Sequence, residues 1–402
     1  VRILGRALEW VVGDRIPSAL HPVLASILAN FAALSVFSLY FGPWLVTVVH
    51  ATASQAAVAY VLAGAGGVVG GYAGGHASDR LGRRRVVVAG AGAQLLASGG
   101  LLVPGIGVTG GCAVLVAVTF FQPFRGAAQR AALADLAEPG ERERAFAGYR
   151  LVTNVGALLG PLLGAGLVGA GWPWLHAGMV AMFAVSLALG LAVPARATRS
   201  PRLPRPRFGM ARDARLWLLL AASTAAWTVV AAYETVLPIS LTQSHGVSPT
   251  VWGVVYSLGP ALATVFQLRL TRWLRGVPAT GRLAAGTVLM GAAFLPLLAT
   301  AAVPVLPLIV VVFVLGDLLW GRASENAINV IAPPGRRGAY VGVLTASVWI
   351  GNALAPGVGL PVRQRLGEPV VWLGLCALGV ASAALYLATG RAGRRAHADT
   401  SS

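Results

Sequence analysis

Five ionisable side chains stand inside long apolar runs of this 402-residue chain: Glu234, Asp317, Arg125, Arg322 and Glu325. Glu234 lies in Tyr233-Glu234-Thr235-Val236-Leu237-Pro238, and Asp317 in Gly316-Asp317-Leu318-Leu319-Trp320. A charge at the centre of a bilayer costs about 2.5–3.5 kcal/mol on insertion scales, so such a group marks a functional candidate. A carboxyl in a poorly hydrated, apolar setting takes up a proton near neutral pH more readily than one in water. Each proton moved inward down a membrane potential releases about 2.3 kcal/mol per 100 mV. That is enough to drive a substrate outward if one acid cannot hold proton and substrate together. Glu234 and Asp317 are therefore the expected proton-coupling and substrate-responsive acids. The competing readings are a fixed ion pair of Asp317 with Arg322 or Arg125, and a solvated Glu234 at an outer mouth. Glu325 and Arg322, three apart, can also pair with each other on one helix. Phe37, Tyr40, Phe41 and Trp44 recur at helical spacing, and Trp227 and Tyr233 accompany Glu234. Rings beside an acid suit a lipophilic cation in a cavity, although the same stripe fits a membrane border.

The elements that carry these residues follow from composition. The chain is 56% hydrophobic and 11% charged, with mean hydropathy +0.74, against about 25% charged in soluble domains. A soluble protein, a disordered chain and a coiled coil are excluded, because a soluble fold would leave mostly apolar surface in water. A spanning helix needs about 20 largely apolar residues. Twelve blocks qualify: 26–47, 55–75, 86–103, 112–133, 146–170, 174–193, 216–242, 251–271, 283–302, 305–331, 340–361 and 370–389. They are continuous rather than alternating, which disfavours barrel strands. The expected fold is an all-α membrane protein of twelve transmembrane helices in two pseudo-symmetric six-helix bundles.

All 31 basic residues are arginine, against 13 acidic ones, giving a formal charge of +18. No basic, aromatic-interleaved domain is present to hold nucleic acid, so lipid headgroups are the expected polyanionic partner. Twenty-four arginines fall in the tails and even-numbered connections, whereas the odd-numbered loops hold only Arg363 and Arg365. By the positive-inside rule both termini are cytoplasmic. Lys-free, Ala/Gly/Arg-rich usage points to a high-GC bacterial genome, and the expected location of such a multi-span chain is the bacterial inner membrane. Residues 1–21 read as an amphipathic lead-in rather than a signal peptide. The stretch 194–215, with Pro201, Pro204 and Pro206 among its arginines, reads as a cytoplasmic linker. It separates a first bundle (1–193) from a second (216–390), followed by a tail (391–402). The halves repeat at an offset of 195: Pro139, Gly140, Arg142, Gly156, Pro161 and Gly164 match Pro334, Gly335, Arg337, Gly351, Pro356 and Gly359. An even number of spans per repeat keeps the copies parallel. Cys112 and Cys376 lie in apolar segments and build no disulfide framework or metal spacing. His50, His176 and His245 are expected near outer loops and solvated, without metal-ligand spacing.

Between the second and third spans stands Gly75-His-Ala-Ser-Asp79-Arg80-Leu-Gly82-Arg83-Arg84-Arg85. Gly75 would admit a neighbouring helix, Gly82 a tight turn, and Asp79 would anchor arginines across the interface between the expected halves, with Asp135 a second anchor for Arg80 or Arg83. This stretch resembles the GxxxDRxGRR loop of the major facilitator superfamily, which implies a cytoplasmic latch. The fifth span carries Gly156-Ala-Leu-Leu-Gly160-Pro161-Leu-Leu-Gly164. Small residues four apart allow backbone contact between helices, and Pro161 removes a helical hydrogen bond. The segment resembles the GxxxGPxxG motif of the family's antiporters. Similar drug:proton antiporters also carry acids in spans seven and ten. Arg125 resembles the family's span-four arginine in location, while its local sequence departs from the usual pattern.

The resemblance implies a proton-coupled exporter of small amphipathic or antibiotic-like molecules, working by alternating access. The alternative within transport is a proton symporter for a sugar, peptide or metabolite. An intramembrane enzyme would need a nucleophile–base pair or metal motif, and the sequence holds no HExxH and no Gly-x-Ser-x-Gly. A membrane sensor is the remote alternative. No cofactor or metal is expected beyond the proton as coupling ion. The expected partners are a small-molecule substrate and the bilayer, with the chain as a monomer.

Overall fold

The computed structural model describes residues 17–138, 140–194, 214–273, 276–331 and 337–401, without the side chains of 214–215, 267–272, 322, 325–331, 337–343 and 390–401. The first helices are α1 (His21–Thr47), α2 (Ala53–Leu81), α3 (Arg83–Gly99), α4 (Val108–Leu136), α5 (Arg142–Ala170) and α6 (Trp172–Leu191). Then come α7 (Ala214–Glu234), α8 (Val236–Ser244), α9 (Pro249–Trp273), α10 (Ala279–Ala292), α11 (Leu306–Ile331), α12 (Arg337–Leu366) and α13 (Glu368–Ser401). Among the described residues, eleven stretches are long and apolar enough to cross a membrane. The expected span at 340–361 falls on α12. In a hydrocarbon solvent every backbone polar group must be satisfied within the segment, so helices are the available solution. Large apolar side chains point outward accordingly: Leu96, Tyr72 and Trp273 are each about 80% exposed.

Helix ends follow local chemistry. Thr52 and Gln55 form a reciprocal capping box at the start of α2, satisfying two of the first-turn backbone groups. Gly82, at φ +92°, is the single residue between α2 and α3, a conformation that costs a side-chain-bearing residue but not glycine. Gly171 and Gly367, at φ +124° and +89°, turn α5 into α6 and α12 into α13.

The chain forms two compact units. The first gathers α1–α6 with Ser248–Pro260, the start of α9; the second gathers α7, α8, the rest of α9 and α10–α13. Inside the first unit, glycines bring helices to backbone contact. Gly70 and Gly74 of α2 lie against the backbone of Phe120 and Phe124 in α4, leaving no room for a Cβ. Gly75, expected to make that approach, has nothing within 4 Å of its Cβ position. It lies one residue, or about 100°, round the helix from Gly74, which is enough to turn it off the seam.

The repeat read from the sequence recurs in packing. A Cβ at Gly156 of α5 would fall 2.8 Å from Phe31 Cβ and 3.1 Å from Ala32 N in α1. At Gly351 of α12 it would fall 2.6 Å from Trp227 Cβ and 2.8 Å from Thr228 N in α7. Ser186 Oγ donates to the Ser26 carbonyl at 2.6 Å, joining α6 to α1. Ser382 Oγ donates to the Ala222 carbonyl at 2.8 Å, joining α13 to α7. Each unit thus closes its first span onto its fifth and sixth by the same two devices.

Candidate functional site

Both expected acids belong to the second unit. Glu234 is the last residue of α7, half-buried, and the helix breaks at Thr235 (φ −122°, ψ −53°) before resuming as α8. The cause is Pro238, which has no N–H for the Glu234 carbonyl and whose ring crowds that carbonyl. Asp317 is half-buried in α11. Its Oδ1 lies 3.9 Å from the Cβ position of Gly321, so the carboxylate leans over the glycine one turn further on. Residues 313, 317 and 320 share one helix face at i, i+4 and i+7. Phe313 stacks on Tyr233 of α7 with centroids 3.9 Å apart and planes at 9°. Trp320 meets Trp227 of α7 edge-on, at 5.3 Å and 81°. The stripe of α11 that faces α7 therefore carries Asp317 between two ring pairs. Arg322 and Glu325 follow on α11, and their side chains lie outside the described residues.

Arg125 belongs to the first unit and is fully buried. Its guanidinium donates to Asn30 Oδ1 (2.9 Å), Gln94 Oε1 (3.2 Å), Ser26 Oγ (2.8 Å) and Ser186 Oγ (2.5 Å). The delocalised fork suits this task because its donors diverge in a fixed plane. One side chain of α4 is thereby tied to α1, α3 and α6. Gln94 Nε2 is buried there without a hydrogen-bond partner.

The stretch between α2 and α3 is built around Arg83, 5% exposed, which donates to Asp79 Oδ1 (2.5 Å), Asp135 Oδ2 (3.1 Å) and Ser78 Oγ (2.9 Å). Arg80 is exposed. Arg84 donates to the Leu191 carbonyl at 2.8 Å, capping the end of α6. The span-five glycines face α1: Gly160 meets the Ala32 carbonyl and Ser35, and Gly164 meets the Tyr40 ring. Tyr40 donates to the Pro161 carbonyl at 2.9 Å.

The aromatic stripe of α1 is packed inside the first unit, with Phe37, Tyr40, Phe41 and Trp44 all at most 6% exposed. Trp44 meets His176 edge-on at 4.9 Å. His176, expected to be solvated, is 7% exposed; it begins the second turn of α6, where the helix has already entered the aromatic cluster. His245 is likewise not simply solvated. Its Nε2 lies 2.7 Å from Glu368 Oε2, and Ser240 Oγ and Arg363 Nη1 donate to Glu368 Oε1 at 2.5 and 3.2 Å. Arg363 also donates to Ser244 Oγ at 3.1 Å and to Gln243. This clasp fastens α8 to the α12–α13 corner. Its partners lie some 120 residues apart in the chain, and sequence periodicity carries no signal for it.

Comparison with known proteins agrees with this architecture. A family model described as Major Facilitator Superfamily matches residues 23–356. An uncharacterized MFS-type transporter, YqjV, of Bacillus subtilis is 22% identical over 363 residues, covering 85% of this chain and 86% of the relative. A multidrug resistance protein, MdtH, of Klebsiella pneumoniae is 25% identical over 324 residues, covering 77% and 79%. A crystal structure of the peptide transporter POT superposes with a TM-score of 0.78 at 15% identity, covering 94% of this chain and 95% of that one. The POT family transporter PepTSo gives 0.76 at 12% identity, covering 95% and 99%. Those two likenesses establish the fold.

Proposed function

Because this chain belongs to the Major Facilitator Superfamily, and so is a multi-pass membrane transporter, we propose that it is a proton-coupled exporter of small amphipathic or antibiotic-like molecules. In this reading its two halves of six spans rock about a midplane site, with the arginine-rich ends and both termini facing the bacterial cytoplasm. The observation that carries it is that Glu234 and Asp317 are both half-buried on helices of one unit that pack against each other, with Asp317 between two ring pairs. A carboxyl so placed binds a proton or an organic cation, and the two compete. Entry of a proton from outside releases cargo there; loss of that proton to the cytoplasm restores the charge that draws the next molecule in. The likeness to multidrug resistance proteins of the MdtH type supports the direction of transport. The chain acts as a monomer in the bilayer, with the proton in place of any cofactor.

The direct test is transport in proteoliposomes with an imposed pH gradient, across a panel of lipophilic cations, neutral antibiotics and short peptides. Exchange of cations or antibiotics against protons is the expected result. Co-movement of a peptide, sugar or metabolite with protons would replace this reading by uptake, and transport indifferent to the gradient would remove the coupling altogether.

A further inference from the structure

One of the two rings flanking Asp317 is anchored by hydrogen bonds, and the anchor comes from the last helix of the unit. Trp320 Nε1 donates to Tyr386 Oη at 3.0 Å, and Tyr386 Oη lies 3.0 Å from Ser223 Oγ. Trp320, Tyr386 and Ser223 are 2%, 0% and 6% exposed. Gly286 of α10 backs the tryptophan so closely that a Cβ there would fall 2.8 Å from Trp320 Cβ. Helices α7 and α13 thus meet the indole of this residue, and α10 packs against its backbone and Cβ.

The internal repeat makes the arrangement more than a packing accident. At the offset of 195, Trp320 stands where Arg125 stands in the first unit, with Gly126 matched by Gly321 and Ala128 by Ala323. Arg125 ties α4 to α1 through Ser26 and to α6 through Ser186. Trp320 ties α11 to α13 through Tyr386, whose hydroxyl also meets Ser223 of α7. The position three residues earlier is Gln122 in the first unit and Asp317 in the second. The repeat has kept a buried donor that pins this helix, and in one unit has set an acid beside it.

We propose that Tyr386 is a positioning residue for Asp317: it holds Trp320 against Trp227 and so closes the arginine-rich side of the acid's slot. The proposal rests on the reading of Asp317 as a coupling acid, and it adds a residue on a helix that carries neither acid. Without the tyrosine hydroxyl the indole N–H loses a buried acceptor, the ring pair opens more often, and the carboxyl becomes reachable from that side.

The test needs no substrate. The purified full chain in lipid nanodiscs is treated with an apolar carbodiimide, which modifies protonated carboxyl groups, and labelling at Asp317 is timed by peptide mass spectrometry. Tyr386→Phe and Trp320→Phe each keep a ring and remove one side of the bond. Each is expected to label about 2- to 12-fold faster, the population change that follows loss of one hydrogen bond. The double variant is expected to label no faster than either single one, since both remove the same interaction. Ser382→Ala cuts the neighbouring bond between α13 and α7 without touching Trp320 and is expected to leave the rate unchanged. Unchanged labelling in both ring-preserving variants, an additive double variant, or equal acceleration in Ser382→Ala overturns the proposal. Should Asp317→Asn retain gradient-driven transport, the acid's coupling role fails while the labelling result stands by itself.

Discussion

Arg125 is the residue at which composition and contact differ most in what they reveal. A lone arginine in an apolar run is visible in the sequence, but its acceptors, Asn30, Gln94, Ser26 and Ser186, lie 31 to 99 residues away. Nothing in local spacing connects them. Replacing it by methionine keeps most of the volume and strands several buried polar groups, each costing about 1–3 kcal/mol when left without a partner. Arg125→Met is therefore expected to lower stability by about 3 kcal/mol or more, read as a fall in thermal midpoint in detergent. An unchanged midpoint would mean that the cluster is satisfied without the guanidinium. A neighbouring pair of glycines gives a contrasting case. Gly74→Ala drives a methyl into the Phe124 backbone, whereas Gly75→Ala meets open space and gains helix propensity of about 1 kcal/mol. Folded yield is expected to drop for the first and hold for the second.

Helices were the part most legible from sequence, because hydrocarbon solvent leaves few alternatives and apolar runs of sufficient length declare themselves. The break in the seventh span follows from Pro238, a residue that the length of the apolar run alone does not register. A proline four residues after Glu234 removes the hydrogen bond to that residue's carbonyl, so the acid ends one helix segment at a break inside the span Leu216–Ser244. The clasp on α8 was hidden for a different reason, since it joins a nine-residue segment to a corner more than 100 residues on. Glu368→Gln weakens the charge-assisted bonds from Arg363 and His245 while nearly preserving shape. Amide hydrogen exchange across 236–244 is expected to rise several-fold, with α1 unaffected; equal protection in the variant would show that apolar packing alone holds α8. The span-five glycines belong to the same scale. Gly160→Val is expected to cost about 1–3 kcal/mol by overpacking, because the α1 backbone at Ala32 leaves it no space. Thermal unfolding of the purified variant reads that loss directly.

At the scale of the whole molecule, one packing scheme is used twice and loaded with different chemistry. Gly156 and Gly351, Ser186 and Ser382, and the turn glycines Gly171 and Gly367 do equivalent work in the two units. The first unit buries a guanidinium among amides and hydroxyls, and the second carries both acids, Asp317 between ring pairs and Glu234 at a helix break. That asymmetry supports the proposal that coupling belongs to the second unit, which predicts that neutralising its acids separates proton flow from cargo flow while leaving the fold intact. The decisive measurement is gradient-driven transport by the native chain, Glu234→Gln and Asp317→Asn in the same proteoliposomes, with thermal midpoints matched. The account predicts that at least one neutral variant still exchanges cargo down its own gradient yet no longer responds to the pH gradient. Full gradient-driven accumulation in both variants would contradict it.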